Sequence, residues 1–208
     1  MPPHKVYAEL YCRTAAIYQN KRKTERNILN DIDVKVYEHW QEKPEAFTEF
    51  EIYNQDALVF IDCNEPLFNR EDTLLYLDPP YPFSSRRCKT DIYRHEMTDD
   101  QHRALLGRIQ QLKCKVVISS YQNPLYLEAL EDWSYFEFTT TTHRGASIES
   151  VWFNYPFPAE LHDYRYIGKD YRERERIMNV QKRTLSKMQR LPLLERKALL
   201  QYLSDNLV

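Results

Sequence analysis

The stretch Thr73-Leu74-Leu75-Tyr76-Leu77-Asp78-Pro79-Pro80-Tyr81 sets the terms for the rest of the chain. Four apolar residues in a row, bounded by turn formers, are what a short strand buried on both faces requires. Pro79 and Pro80 have no N–H to donate and a nearly fixed φ, so the ladder stops at Asp78. An acid is thereby placed at the carboxyl end of a central strand, the edge where open α/β sheets bind ligands.

That acid, two prolines and a ring suit one kind of chemistry. An exocyclic amine on a nucleic-acid base is a poor nucleophile because its lone pair is delocalised into the ring. A carboxylate and a rigidly aimed backbone carbonyl, accepting its two N–H bonds, would draw the nitrogen towards tetrahedral geometry. A tyrosine can stack on the base once it has left the duplex. Asp78-Pro79-Pro80-Tyr81 resembles the catalytic motif of amino-methyltransferases acting on adenine N6 in DNA. The same four residues also suit a plain strand-to-loop turn.

The remaining segments alternate between strand and helix. Val6–Tyr11 reads as a strand, 14–23 as a helix with Ala15, Ala16, Ile17 and Tyr18 inward, and Asn27–Asp31 as a second strand ending in an acid. Asp31 is placed to accept both hydroxyls of a ribose, or to shape a turn beside Asn30 and Asp33. A short helix over Val34–Trp40 and a strand over 50–53 lead to Asp56-Ala57. There an acid could accept an adenine amino group or cap the helix that begins at Ala57. Thr98 and Gln101 form a capping box for a helix with Leu105, Leu106, Ile109 and Leu112 on one face. Strand 115–120, a short helix after Pro124 and a closing hairpin over 133–155 complete an α/β sheet with an antiparallel edge.

Two stretches are basic. Ser84, Arg86, Arg87, Lys89 and Arg94 follow the prolines closely enough to grip phosphates around a flipped nucleotide, and a solvated charge run reads the same way. Beyond Pro158, 170–191 is a charged helix with seven Arg or Lys residues, Pro192 ends it, and 193–203 reads as a second, amphipathic helix. The division is therefore 1–158 as a catalytic domain and 159–208 as a basic helical extension, either touching DNA or clamped on the domain. The formal net charge of −2 gives no global basic field, so any nucleic-acid surface must be local. The four cysteines lack the close spacing of a metal or redox site, and no apolar run reaches membrane-spanning length. Free thiols, a cytoplasmic location, and neither metal nor membrane are expected.

Taken together, the residues resemble the D12 class of DNA adenine N6-methyltransferases, in its compact phage-type form. The likeness runs through 7–16, Asn30-Asp31-Ile32, Asp56-Ala57, the Asp78–Tyr81 motif, Tyr93–Thr98, Val117–Tyr121 and Glu149–Tyr155, and covers nearly the whole chain. It implies a Rossmann-like methyltransferase sheet with helices on both faces, S-adenosylmethionine as cofactor, and double-stranded DNA with a flipped adenine as partner. Cofactor-binding positions would be Tyr11, Cys12, Arg13, Asp31, Asp56 and Ala57, catalytic ones Asp78, Pro79, Pro80 and Tyr81. The departures bear on activity. Cys12, Arg13 and Thr14 stand where the family has a glycine-rich turn, and their side chains would crowd the cofactor unless Arg13 pairs with its carboxylate. The chain starts at the first strand without the family's N-terminal glycine and lysine segment, the span from Asp31 to Asp78 is short for a target-recognition insert, Ser120 replaces a common glycine, and Ser147-Ile148 replaces a basic-polar pair. A methyltransferase of site-specific or relaxed specificity, a catalytically silent module that binds DNA or protein, and a subunit completed by a partner or second copy all remain open.

Overall fold

The computed structural model describes residues 1–86, 93–142 and 145–207. In the first of two compact units, 1–162, seven strands form one sheet in the order β3-β2-β1-β4-β5-β7-β6. The strands are β1 Val6–Leu10, β2 Arg26–Asn30, β3 Glu51–Tyr53, β4 Thr73–Leu77, β5 Lys115–Tyr121, β6 Ser134–Thr142 and β7 Gly145–Phe153. β1 to β5 are mutually parallel, whereas β7 runs antiparallel to β5 and to β6. The helices are α1 Ala16–Asn20, α2 Val34–Gln41, α3 Ala57–Cys63, α4 Glu65–Phe68, α5 Asp99–Ile109 and α6 Pro124–Ala129.

Alternation along the central strands explains the layering. Ala8, Leu10, Leu75, Leu77, Val116 and Ile118 point to one face and pack with Phe60, Phe68, Leu106 and Tyr126 from the helices there. Tyr7, Leu29, Ile52, Leu74 and Val117 point to the other, against Tyr18 of α1, Trp40 of α2 and Phe50. Helices thus cover both faces, as parallel strands demand. The Thr98 capping box forms with both of its hydrogen bonds, and Leu105, Leu106, Ile109 and Leu112 are buried.

Two local expectations change. The helix after β1 is only five residues long, because Ala15 adopts a left-handed conformation and the chain is extended again at Lys21. A turn of 3-10 helix over Phe83–Ser85 follows Pro82 in the basic loop. The unit reaches four residues past the boundary read at Pro158, since the backbone N–H of His162 donates to the Met1 carbonyl at 3.0 Å and its ring lies 4.1 Å from that of His4.

The second unit, 163–208, holds α7 Tyr171–Gln189 and α8 Leu193–Asn206. Asp170 caps α7 by accepting from the Glu173 N–H, and Pro192 separates the helices. Neither helix buries a residue. The amphipathic face expected of α8 is not buried: Leu194 is 78% exposed and Leu193 60%.

Candidate active site

The parallel register places four strand ends in one row. Leu10 pairs with Asn30 on one side and Leu77 on the other, and Asn30 pairs with Tyr53. The residues that follow, Tyr11, Asp31, Asn54 and Asp78, therefore leave the sheet side by side, where the crossovers from β1 and β4 diverge. A cavity of about 350 Å³ opens there. It brings together Tyr11, Arg13, Asp31, Asp56, Ala57, Asp78, Pro80 and Arg94 of the residues singled out in the sequence. Among the described residues, no group of three His, Cys, Asp or Glu side chains could hold a metal ion.

Asp31 is 6% exposed, and its two carboxylate oxygens each accept one backbone N–H at 2.9 Å, from Arg13 and from Asp33. Burial pushes its pKa up, and the two N–H bonds oppose that rise. Lone pairs remain on both oxygens for further donors. Asn30 fixes the next loop by exchanging two hydrogen bonds with the Gln55 backbone. Asp56 caps α3, its Oδ1 accepting from Leu58 and Val59, so the helix-cap reading holds while the residue also lines the cavity.

The turn after β1 keeps left-handed backbone without glycine. Tyr11, Arg13 and Ala15 have φ of 74°, 43° and 46°, angles that glycine adopts without steric cost. Cys12 is a correction to the expected cofactor contacts. Its side chain is 3% exposed and packs in the second core cluster, beneath the turn, so burial pushes the thiol pKa up and the group faces away from the cavity. The Arg13 guanidinium lies 5.1 Å from the Tyr93 ring centre, and the Arg13 carbonyl accepts from Trp40 Nε1 at 2.8 Å.

At the end of β4, Asp78 Oδ1 accepts from Ser119 Oγ at 2.8 Å. Burial pushes the Asp78 pKa up, and hydrogen bonding by Ser119 and Tyr81 opposes it. Pro79 and Tyr81 are buried beside the cavity rather than lining it, and the Tyr81 ring meets Tyr121 edge-on at 4.5 Å. The Tyr81 carbonyl accepts from Arg86 Nε at 2.6 Å. Arg86 was expected to hold DNA. Instead its side chain is 3% exposed, with Nη1 and Nη2 donating to the two carboxylate oxygens of Glu96 at 2.9 and 2.5 Å, so it braces the turn after β4 from within. Arg94, read the same way, pairs with Asp33 at 3.1 Å on the cavity wall. Ser84 is exposed, and Arg87 and Lys89 lie outside the described residues.

Sequence reasoning missed Ser119, Tyr93, Glu96 and Glu9. Only Glu9 carried a signal, as a charge inside an apolar strand. It is 3% exposed, and its Oε2 accepts from the Tyr7 hydroxyl at 2.8 Å and the Tyr18 N–H at 3.0 Å. Burial, helped by the charge of Asp78, lifts its pKa to about 7 against the pull of those two donors and Lys21.

Comparison with solved structures places this geometry. TrmK of M. capricolum, in complex with S-adenosyl-homocysteine, superposes with a TM-score of 0.50 at 13% identity, over 95% of this chain and 88% of that one. Sp1610 of Streptococcus pneumoniae gives 0.49 at 8%, over 97% and 90%. Human methyltransferase 10 domain containing protein gives 0.48 at 10%, over 74% and 73%. No protein-family model and no curated protein matches the sequence. The strand order and the TrmK likeness show the fold: it is the Rossmann-like sheet also found in S-adenosylmethionine-dependent methyltransferases. On that fold, this chain carries its acid, two prolines and tyrosine at the end of β4. No described helix is long and apolar enough to cross a membrane.

Proposed function

We propose that this chain is an S-adenosylmethionine-dependent methyltransferase of the D12 type, acting on the N6 amino group of adenine in DNA. The observation that carries the reading is Asp78-Pro79-Pro80-Tyr81 at the end of β4, opening into the cavity that also holds Asp31 and Asp56. Asp31 would take the ribose hydroxyls of the cofactor, Asp56 its adenine amino group, and Arg13 its carboxylate. When bound, the cofactor supplies an electrophilic methyl group on a sulfonium. Asp78 would accept from the flipped base's amine and orient it, with Ser119 holding the carboxylate in place. The pairing of Arg86 with Glu96 would fix the turn that aims the proline carbonyls. Residues 1–158 are proposed as the catalytic domain and 159–208 as its basic extension.

A second reading has one observation in its favour. Three non-glycine residues in left-handed conformation occupy the turn that must approach the cofactor, which favours a silent module or a subunit completed by another chain. Isothermal titration with S-adenosylmethionine, with and without an adenine-containing duplex, separates the readings. Saturable binding, with methyl transfer that Asp78→Ala reduces by at least about 100-fold, is the expected result. Retained activity in Asp78→Ala would remove the site assignment. Absence of cofactor binding in both titrations would favour the second reading.

A further inference from the structure

The second unit carries a feature that the cavity chemistry does not use. Arg172, Arg174, Arg176, Lys182, Arg183, Lys187 and Arg190 stand on α7 and its C-cap, against Glu173 and Glu175 on the helix and Asp170 at its N-cap, in a chain whose formal total is −2. Their positions around the helix are uneven. With 3.6 residues per turn, Arg172, Arg176, Arg183, Lys187 and Arg190 fall within about 60° of one another. Neither glutamate projects from that sector. Ile177, Leu185 and Met188 lie on the far side, so the basic residues form a strip rather than a general excess of charge.

Among the described residues the strip's side-chain contacts stay on its own helix, as where Arg183 Nε donates to the Asn179 carbonyl at 3.1 Å. All five residues are exposed. Among the described residues, only Arg176 of the five has a carboxylate within 4.0 Å, Glu173 at 3.8 Å, one turn away on its own helix. Five cations aligned on one face repel each other, and without a partner they lower the stability of the helix that carries them. A line of negative charge would remove that cost. From Arg172 to Arg190 the strip runs about 27 Å along the axis, the length of about eight phosphates on one strand of a duplex. The pairing would be made by guanidinium and ammonium groups, which grip phosphate oxygens without reading bases.

We infer that α7, in the second unit, is a phosphate-backbone docking strip for a nucleic-acid duplex. The choice of nucleic acid rests on the proposed reading, because the base to be methylated arrives on such a duplex. The strip would supply affinity and leave sequence choice to other residues.

The test is fluorescence anisotropy of a labelled 30-base-pair DNA duplex with the full chain, from 50 to 300 mM salt and without cofactor. Two variants lose equal charge: Arg172→Gln/Lys187→Gln on the strip, and Lys182→Gln/Lys197→Gln off it. Glutamine has nearly the helix propensity of the residues it replaces, and circular dichroism checks the helix content. The strip variant should bind about tenfold or more weakly at 50 mM salt, with a salt slope shallower by about 1.8. The off-strip variant should stay within about twofold of the parent. Equal losses in both variants would reduce the effect to net charge and overturn the strip. So would an unmodified chain that ignores the duplex, or one that binds phosphatidylserine vesicles through the strip and no duplex. The assay involves no methyl transfer, so an inactive protein with strip-dependent binding would sink the enzymatic reading alone. An active one whose two variants bind alike would sink this inference alone.

Discussion

Glu9 ties the stability of the fold to pH through one buried group. Its carboxyl, on the strand that leads into the turn at 11–15, is held by Tyr7 and Tyr18, with Asp78 as the nearby negative charge and Lys21 as the opposing positive one. The folded pKa of about 7 lies above the ordinary glutamate value of 4.5. Below pH 4.5 the group is protonated in both states and costs nothing. Between pH 4.5 and 7 the unfolded chain ionises while the folded one does not, so stability falls as pH rises, by about 3 kcal/mol in all. Glu9→Gln should remove that fall. Urea unfolding at pH 5 and pH 8 should show the variant gaining on the parent at the higher pH, and an unchanged difference between the two pH values would mean that Glu9 ionises freely. Glu9 was visible in the sequence as a misplaced charge. The role of Arg86 was not, because its partner Glu96 lies ten residues away across a loop and nothing in the local pattern distinguishes an internal guanidinium from one offered to phosphate.

At the scale of elements, the strands were legible and the first turn was not. Apolar runs over 74–77 and 116–118 dictate buried parallel strands, and the capping box at Thr98 fixes the start of α5, because both are local rules. The turn at 11–15 is governed by the sheet. It must bring the Arg13 N–H to Asp31, and the strands hold it in a conformation its residues disfavour. The sequence drew attention to Cys12, Arg13 and Thr14, and the left-handed angles fall at Arg13 and at its neighbours Tyr11 and Ala15. Arg13→Gly should therefore stabilise the protein by roughly 0.5 kcal/mol, the relief of strain exceeding the lost contact with Tyr93. A lower denaturation midpoint for the variant would show that the guanidinium contributes more than the backbone costs.

Across the whole molecule, both hydrophobic clusters are drawn entirely from the first unit, the last buried members being Trp152 and Phe153. A chain ending at His162 should therefore unfold cooperatively, with a urea midpoint within about 0.5 M of the full chain. A broad or strongly lowered transition would assign the helical unit a share in the stability of the sheet. The boundary near residue 160 was readable from Pro156 and Pro158 and the change to a charged composition. The clasp that carries it on to His162 was not, because it depends on Met1 and His4, more than 150 residues earlier.

The hydrogen bond from Trp40 to the Arg13 carbonyl gives the turn an optical signature. An indole N–H bonded to a carbonyl emits differently from one that has lost its acceptor, and Trp40 is 5% exposed, shielded from bulk solvent. The fluorophore, on α2, is thus bonded to the turn whose Tyr11 and Arg13 line the cavity, while Trp133 and Trp152 pack in the other hydrophobic cluster. A shift in Trp40 emission on adding S-adenosylmethionine would therefore report, without a label, that the turn has moved as the cavity filled.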